Sequence, residues 1–166
     1  MTILDTLITN RTQADVNKIK NLRVKIARGT ATTDELNEYL YSPQPGAYGV
    51  SDLNRVGEAV EYLSAWLLEY GIVAKVTPKK NWALTDIPTD AELQTYLSNI
   101  RAIRQAITFP SDFVATPTSM RNLTFTQANA IESVLKQAEK LINNMIAEFR
   151  HTGTAFAFSG FQGVIL

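Results

Sequence analysis

Apolar residues recur every three or four positions in four long stretches of this chain, and each stretch follows a residue that favours a helix start. The clearest stretch comes after the turn-forming segment SPQPGAYG (42–49), where Ser51 suits an N-cap and Asp52 suits the positive end of the helix dipole. The apolar positions that follow are Leu53, Val56, Val60, Leu63 and Leu67. This spacing predicts a helix with one face in a core, and Gly57 beside that face indicates a close approach by another segment.

Threonines mark the starts of the other predicted helices. Thr12, Thr89 and Thr124 are each followed three residues later by a carboxylate or glutamine, the spacing of a capping box, and Thr32 or Thr33 suits the start of a shorter helix. We therefore predict a mainly α fold, a bundle of four to five helices that are antiparallel wherever the connections are short.

The chain divides by composition into an N-terminal arm (residues 1–11), a helical domain (12–150) and a C-terminal tail (151–166). Glycines and alternating small and aromatic residues in the tail are typical of a strand or a small hairpin. Residues 72–76 are a second candidate for a short strand. The prediction is thus a helical bundle with a small C-terminal β element.

Charge and composition exclude several classes of function. Sixteen basic residues balance sixteen acidic ones, which gives no electrostatic reason to expect nucleic acid or an anionic membrane as a partner. The chain has no cysteine, and no apolar run approaches the roughly 20 residues that cross a bilayer. A net charge near zero also favours self-association, so we expect a homo-oligomer.

Residues with catalytic chemistry are few and scattered. The single histidine, His151, follows the last long helical stretch, and the carboxylate pair Glu58 and Glu61 suits a solvated helix face. Phosphate-binding glycine loops and nucleophile elbows are absent from the sequence. We predict no enzymatic activity, no catalytic residue, no metal and no cofactor.

Apolar residues outside the predicted helices are candidates for interaction with other molecules. Trp82 lies in a loop, where it would stack on a sugar or a partner, or fill the core. The tail would either fold back on the helices or pair with another chain. The candidate interaction residues are Ile3, Leu4, Leu7, Ile8, Trp82, Phe156, Phe158, Phe161, Val164, Ile165 and Leu166.

Several segments together resemble a known family. They are ITNRTQADVNKIK, GAYGVSDLNRVGEAVEYL, NWALTDIPTDAELQTYLSNIRAIRQAI, SMRNLTFTQANAIESVLKQAEKLI and FRHTGTAFAFSGFQGV. They are similar to small proteins or modules encoded by phages and prophages of Gram-positive bacteria, among tail, baseplate and tail-fibre genes. The residues DLNRVG (52–57), with GAY before them, are the most specific part of the resemblance.

This resemblance implies a bacteriophage structural protein located in the virion after synthesis in the host cytoplasm. Its expected partners are other virion proteins and further copies of itself, contacted through the apolar termini. Two alternatives stay open at this point: a host-receptor or carbohydrate-binding module of a phage tail, and a small cytoplasmic scaffold protein.

Overall fold

The computed structural model describes residues 1–42 and 44–161, with side chains described as far as Phe149. A short 3-10 turn at Ile3–Thr6 precedes the helices α1 (Gln13–Ala27), α2 (Thr33–Tyr41), α3 (Val50–Glu69), α4 (Asp90–Ala106) and α5 (Phe125–Phe161). The prediction of a mainly α-helical fold of four to five helices is therefore confirmed for the described residues.

Capping boxes start α1, α2 and α4 at the predicted threonines, Thr12, Thr32 and Thr89. Each threonine hydroxyl accepts a hydrogen bond from the backbone N–H three residues later, and the carboxylate of that residue accepts one from the threonine N–H. Helix α3 begins at Val50, two residues before the start that an N-cap at Ser51 predicts. Its N-cap is Gly49, whose N–H donates to Asp52 Oδ2 at 2.8 Å. The carboxylate three residues after the cap, rather than a hydroxyl, fixes this helix start.

Helices α3, α4 and α5 run parallel to one another, which the sequence did not predict. Glu132, early in α5, contacts Asp52 and Arg55 at the start of α3. Arg121, just before α5, pairs with Asp90 at the start of α4. All three helices therefore begin at the same end of the bundle, and the chain must return along their length twice.

Residues 72–82 form the first return segment. Asn99 on α4 bonds the N–H and the carbonyl of Thr77, at 2.9 and 3.1 Å, and Asn54 on α3 bonds the backbone of Trp82 in the same double manner. The predicted strand at 72–76 is not formed. In the following residues the backbone bonds to asparagine side chains of α3 and α4 and not to a neighbouring strand. Residues 107–124 form the second return segment. Its backbone is also held by a side chain, since Arg101 on α4 donates to the Pro117 carbonyl at 2.7 Å.

The core lies between the three parallel helices and receives two further residues from the N-terminal arm. Its fully buried members include Leu63, Leu97, Ile100, Leu135 and Ile142, and Leu4 joins them from the 3-10 turn. Helices α1 and α2 pack against each other beside this core. The arm is therefore part of the folded body.

The small C-terminal β element is not seen. Helix α5 continues through the tail to Phe161, where we predicted a strand or hairpin. A helix already nucleated by packing gains one hydrogen bond for each residue added, so the glycines of the tail are carried within it. Residues 162–166, which include Val164, Ile165 and Leu166, lie outside the described part of the chain.

Gly57 marks the close approach that the sequence predicted. A Cβ at this position would lie 2.4 Å from the carbonyl oxygen of Lys79 in the first return segment.

Although alanine is the better helix former by about 1 kcal/mol, Gly57→Ala is expected to lower the free energy of unfolding by about 1–3 kcal/mol, because the backbone at Lys79 must move to make room for the added Cβ. Urea denaturation measures this change. Glu58→Ala, on the exposed neighbour, is the control and should change stability by no more than about 0.5 kcal/mol; a stabilised Gly57→Ala protein would contradict the packing.

Candidate functional site

Four charged side chains meet at the end of the bundle where α3 and α5 begin, and we call them the ionic cluster: Arg11, Asp52, Arg55 and Glu132. The Glu132 carboxylate accepts hydrogen bonds from Arg11 Nη2 at 2.5 Å, Arg55 Nη2 at 2.9 Å and Arg55 Nε at 3.1 Å. Asp52 Oδ1 accepts from Arg11 Nη2 at 2.8 Å and also from Arg55. Two positive and two negative charges thus neutralise one another inside the protein.

The ionic cluster also fixes the path of the N-terminal arm. The Ile8 N–H donates to Glu132 Oε2 at 2.6 Å. Asn129 accepts from the Arg11 N–H at 3.0 Å and donates to the Arg11 carbonyl at 2.9 Å. Helix α5 therefore holds the arm by its backbone as well as by the Arg11 guanidinium.

Two tyrosines lie beside the cluster, and their hydroxyl oxygens are 2.5 Å apart. Burial raises the pKa of both Tyr48 and Tyr96 well above the usual value, and the negative charge of Glu132 adds to the effect. Burial alone would lower the pKa of Arg55, but its hydrogen bonds and charge interaction with Glu132 outweigh this and raise it. The tyrosines stay neutral and Arg55 stays charged, which suits a structural role better than proton transfer.

A cleft of about 360 Å³ opens beside the cluster, bordered by Arg11, Tyr48, Gly46 and the start of α5. The charge of Arg11 is already balanced by Asp52 and Glu132, so the cleft presents no uncompensated charge from that side chain. Gly46 is required there for packing, since a Cβ would lie 2.1 Å from the Asp15 carbonyl oxygen.

Sequence reasoning assigned only part of this cluster. It placed Asp52 at a helix start, which is confirmed, but it did not identify the partners of Arg55, which the structure pairs with Asp52 and Glu132. Arg11 and Glu132 were missed because they lie 121 positions apart in the chain. One signal was present: Glu132 directly follows Ile131 within an otherwise apolar helix face.

The candidate interaction residues of the arm are largely occupied within the chain. Leu4 is fully buried and Leu7 is 9% exposed, and Ile3 and Ile8 are half-buried. In this conformation Leu4 and Leu7 are not available to a partner, because their side chains fill the core between α3 and α5. The structure therefore places these two candidate interaction residues in the core, whereas Ile3 and Ile8 are partly accessible.

Trp82 also lies in the core, at 5% exposure, with Lys79 Nζ 3.6 Å from the centre of its ring. The packing alternative for this residue agrees with the structure, and its ring is not open for stacking on a sugar. The side chains of Phe156, Phe158 and Phe161 lie outside the described part of the structure, although the α5 backbone extends through these positions.

An exposed apolar groove that the sequence did not indicate runs between α2 and the loop at 83–88. It encloses about 860 Å³, with Leu40 64% exposed and Leu84 93% exposed on its borders, and Tyr41 contributes an aromatic ring. The amphipathic pattern of α2 is too short to predict which of its sides faces the body.

Lys79 and Glu92 form an exposed ion pair at 3.0 Å near the start of α4. The Thr89 backbone N–H, then Lys79 and the Thr89 hydroxyl, lower the pKa of Glu92 to about 2. Because this pKa is lowered in the fold, its stabilising contribution is present above the ordinary pKa of 4.5 and is lost as the pH falls towards about 2.

The variant Glu92→Gln tests this pH dependence, since glutamine keeps the hydrogen bond to the Thr89 N–H but does not titrate. We expect wild type to have the higher melting temperature at neutral pH, and the difference to shrink between about pH 4.5 and pH 2. Thermal unfolding followed by circular dichroism measures it. A difference that is constant over this range would contradict the assignment.

Comparison with protein-family models, with curated proteins and with solved structures finds no match to this chain. Among the residues that the structure describes, no helix combines the length and the apolar character needed to cross a membrane. The fold and the site together define a helical domain with three parallel helices and a buried ionic cluster at their common starting end.

Proposed function

We propose that this chain is a non-enzymatic structural protein of a phage virion, in the tail, baseplate or fibre region. It is made in the host cytoplasm and assembles with other virion proteins and with further copies of itself. The resemblance of its segments to phage tail-region proteins supports the biological setting.

One structural observation supports assembly in particular: the core-facing line of apolar residues on α5 reaches the surface at Phe149. Phe149 is 58% exposed, although it continues a line of residues that is buried within the body. We therefore take Phe149 as one candidate contact residue for assembly. The ionic cluster, by contrast, has its charges neutralised internally and serves the fold.

The experiment that tests this proposal is quantitative mass spectrometry of particles purified from the strain that encodes the chain. We expect the protein to co-purify with known virion proteins through a density gradient, at a constant ratio to them. Enrichment in the cell lysate with absence from purified particles would contradict it and favour the cytoplasmic scaffold.

The exposed groove favours a second candidate, a host-receptor or carbohydrate-binding module of the phage tail. Tyr41 is 81% exposed and borders the groove together with Tyr39, so these rings, and not Trp82, would be the stacking surface. Glycan-array binding that is lost in Tyr41→Ala and retained in Tyr70→Ala, an exposed tyrosine outside the groove, would support this function. Absence of glycan binding by wild type would exclude it.

A further inference from the structure

The exposed apolar groove beside α2 adjoins a second, smaller groove along α1. The second groove encloses about 340 Å³, and Val16, Lys20 and Val24 lie on its borders. Ile19 and Arg23 border both grooves. We call the two together the α1–α2 groove.

Several apolar side chains on the borders of the α1–α2 groove are exposed to solvent. From α2, Leu40 is 64% and Tyr41 is 81% exposed, Leu84 of the 83–88 loop is 93% exposed, and Val24 of α1 is 42% exposed. Covering apolar surface of this kind is favourable, and a concave surface receives the protruding side chains of another molecule. A partner that fits this groove therefore carries apolar side chains of its own.

Helix α1 carries basic residues on two sides, and carboxylates neutralise only one of these sides. Lys18 and Lys25 form ion pairs with glutamates of α2. Lys20 and Arg23, which border the groove, are exposed and have no ion-pair partner among the described residues. All sixteen acidic side chains of the sequence belong to the part whose side chains the structure describes, so none of them is left over to pair with these two cations.

The α1–α2 groove consequently has a local positive charge, although the net charge of the sequence is zero. A third cation on its borders, Arg55, is balanced by Asp52 and Glu132 and adds little to this charge. Within the described part of the chain, no carboxylate lies on the borders of either groove. Complementarity of charge therefore favours a partner with acidic residues.

The size of the charge and the shape of the groove favour a protein segment over other acidic molecules. Recognition of an anionic bilayer or of a nucleic acid uses larger basic clusters, typically about four or more residues. Here the described residues supply two unpaired cations, and the apolar side chains border a concavity. An amphipathic segment can place apolar side chains in the concavity while its carboxylates reach the cations at the border.

We propose that the α1–α2 groove binds an acidic, amphipathic segment of another virion protein. The inference rests on the proposed assembly function and specifies the chemistry of the partner. Leu40 and Tyr41 contact the apolar side chains of the segment, and Lys20 and Arg23 contact its carboxylates. Because these charges are exposed, binding weakens as the salt concentration rises.

Selection from a displayed library of random peptides of about 16 residues tests the chemistry of the partner without assuming a sequence. The purified full chain is the target, and peptides that also bind the double variant Tyr41→Ala, Leu84→Ala are removed. This step selects for the apolar borders alone, so the charge of the retained peptides is a free outcome. We expect aspartate and glutamate, combined with apolar residues, to be enriched. Enrichment of neutral or basic peptides, or no enrichment over the starting library, would overturn the proposal.

Fluorescence anisotropy of a retained peptide, labelled at one end, measures the contribution of the cations. Lys20→Glu should raise its dissociation constant at least about fivefold. The control Lys140→Glu makes the same substitution at an exposed position of α5 outside the groove and should leave the dissociation constant within about twofold. Circular dichroism should show that both variants stay folded, because both lysines are exposed. Equal effects of the two substitutions would overturn the proposal.

Three further probes test the other classes of ligand: phosphatidylglycerol vesicles, duplex DNA and a glycan array. Binding of any of them that Lys20→Glu or Tyr41→Ala abolishes, without binding of acidic peptides, would assign the groove to that ligand and overturn the proposal. Detection of the chain in purified particles is a separate measurement. A groove that selects no acidic peptide would therefore leave the proposed virion role standing.

Discussion

Replacing Glu132 with glutamine is expected to lower the free energy of unfolding by about 3–5 kcal/mol. Glu132 is fully buried and accepts hydrogen bonds from Arg11, from Arg55 and from the Ile8 N–H. The glutamine side chain has nearly the same shape but no charge, so two guanidinium groups would face one remaining carboxylate, that of Asp52. An uncompensated positive charge would then be buried at the end of the bundle, and urea denaturation followed by circular dichroism measures the loss.

The control for this variant is Glu139→Gln, the same substitution on the same helix. The Glu139 side chain is 24% exposed and pairs with Lys136 at 3.2 Å. Removing this ion pair should therefore lower the free energy of unfolding by no more than about 1 kcal/mol. Equal effects of the two substitutions would show that the ionic cluster is not the main support of the arm and the helix starts.

Leu4→Ala is the second substitution with a large expected effect. It should lower the free energy of unfolding by about 2–5 kcal/mol. Leu4 belongs to the 3-10 turn of the arm, is fully buried, and packs in the core with residues of α3 and α5. Alanine would leave a cavity among these helices, because the fixed arm cannot close it. The midpoint of urea unfolding should fall accordingly.

Leu40→Ala makes the matched comparison, since it removes the same atoms from a leucine that is 64% exposed on α2. Its effect on stability should stay within about 0.5 kcal/mol. If Leu4→Ala were equally mild but weakened association between copies, the arm would be a contact surface after all, and its burial in the core would be refuted.

The helix starts could be predicted from the sequence because their causes are local. Thr12, Thr32 and Thr89 each cap a helix through residues three positions away, so the signal lies within one window of sequence. The direction of α3 relative to α5 could not be predicted, since it depends on contacts such as Arg55 with Glu132 across 77 positions. The course of residues 72–82 could not be predicted either, since the asparagine side chains that hold their backbone carry no periodic signal.

The motif DLNRVG (52–57) illustrates how far sequence reasoning went at the site. The resemblance singled it out, and in the structure each of its polar residues has a partner: Asp52 in the ionic cluster, Asn54 on the Trp82 backbone and Arg55 on Glu132. Those partners come from the arm, the return segment and α5. These contacts could not be predicted from the sequence, because every partner lies in another segment of the chain.

The N-terminal arm and the C-terminal tail could not be distinguished from the sequence alone. Both are apolar and lie outside the predicted helices, so the sequence treated them alike. The structure separates them, because the arm is held by Glu132 and Asn129 and buries Leu4, whereas the backbone of the tail continues helix α5 as far as Phe161.

Amide hydrogen exchange of Ile8 and Arg11 tests most directly whether helix α5 holds the N-terminal arm against the core. Both N–H groups donate to side chains of α5, Ile8 to Glu132 and Arg11 to Asn129. We predict protection factors for these two amides that are comparable to those of core amides such as Leu63 and Leu135. Exchange of both at the rate of an unstructured chain would mean that the arm is not held, and would contradict the account.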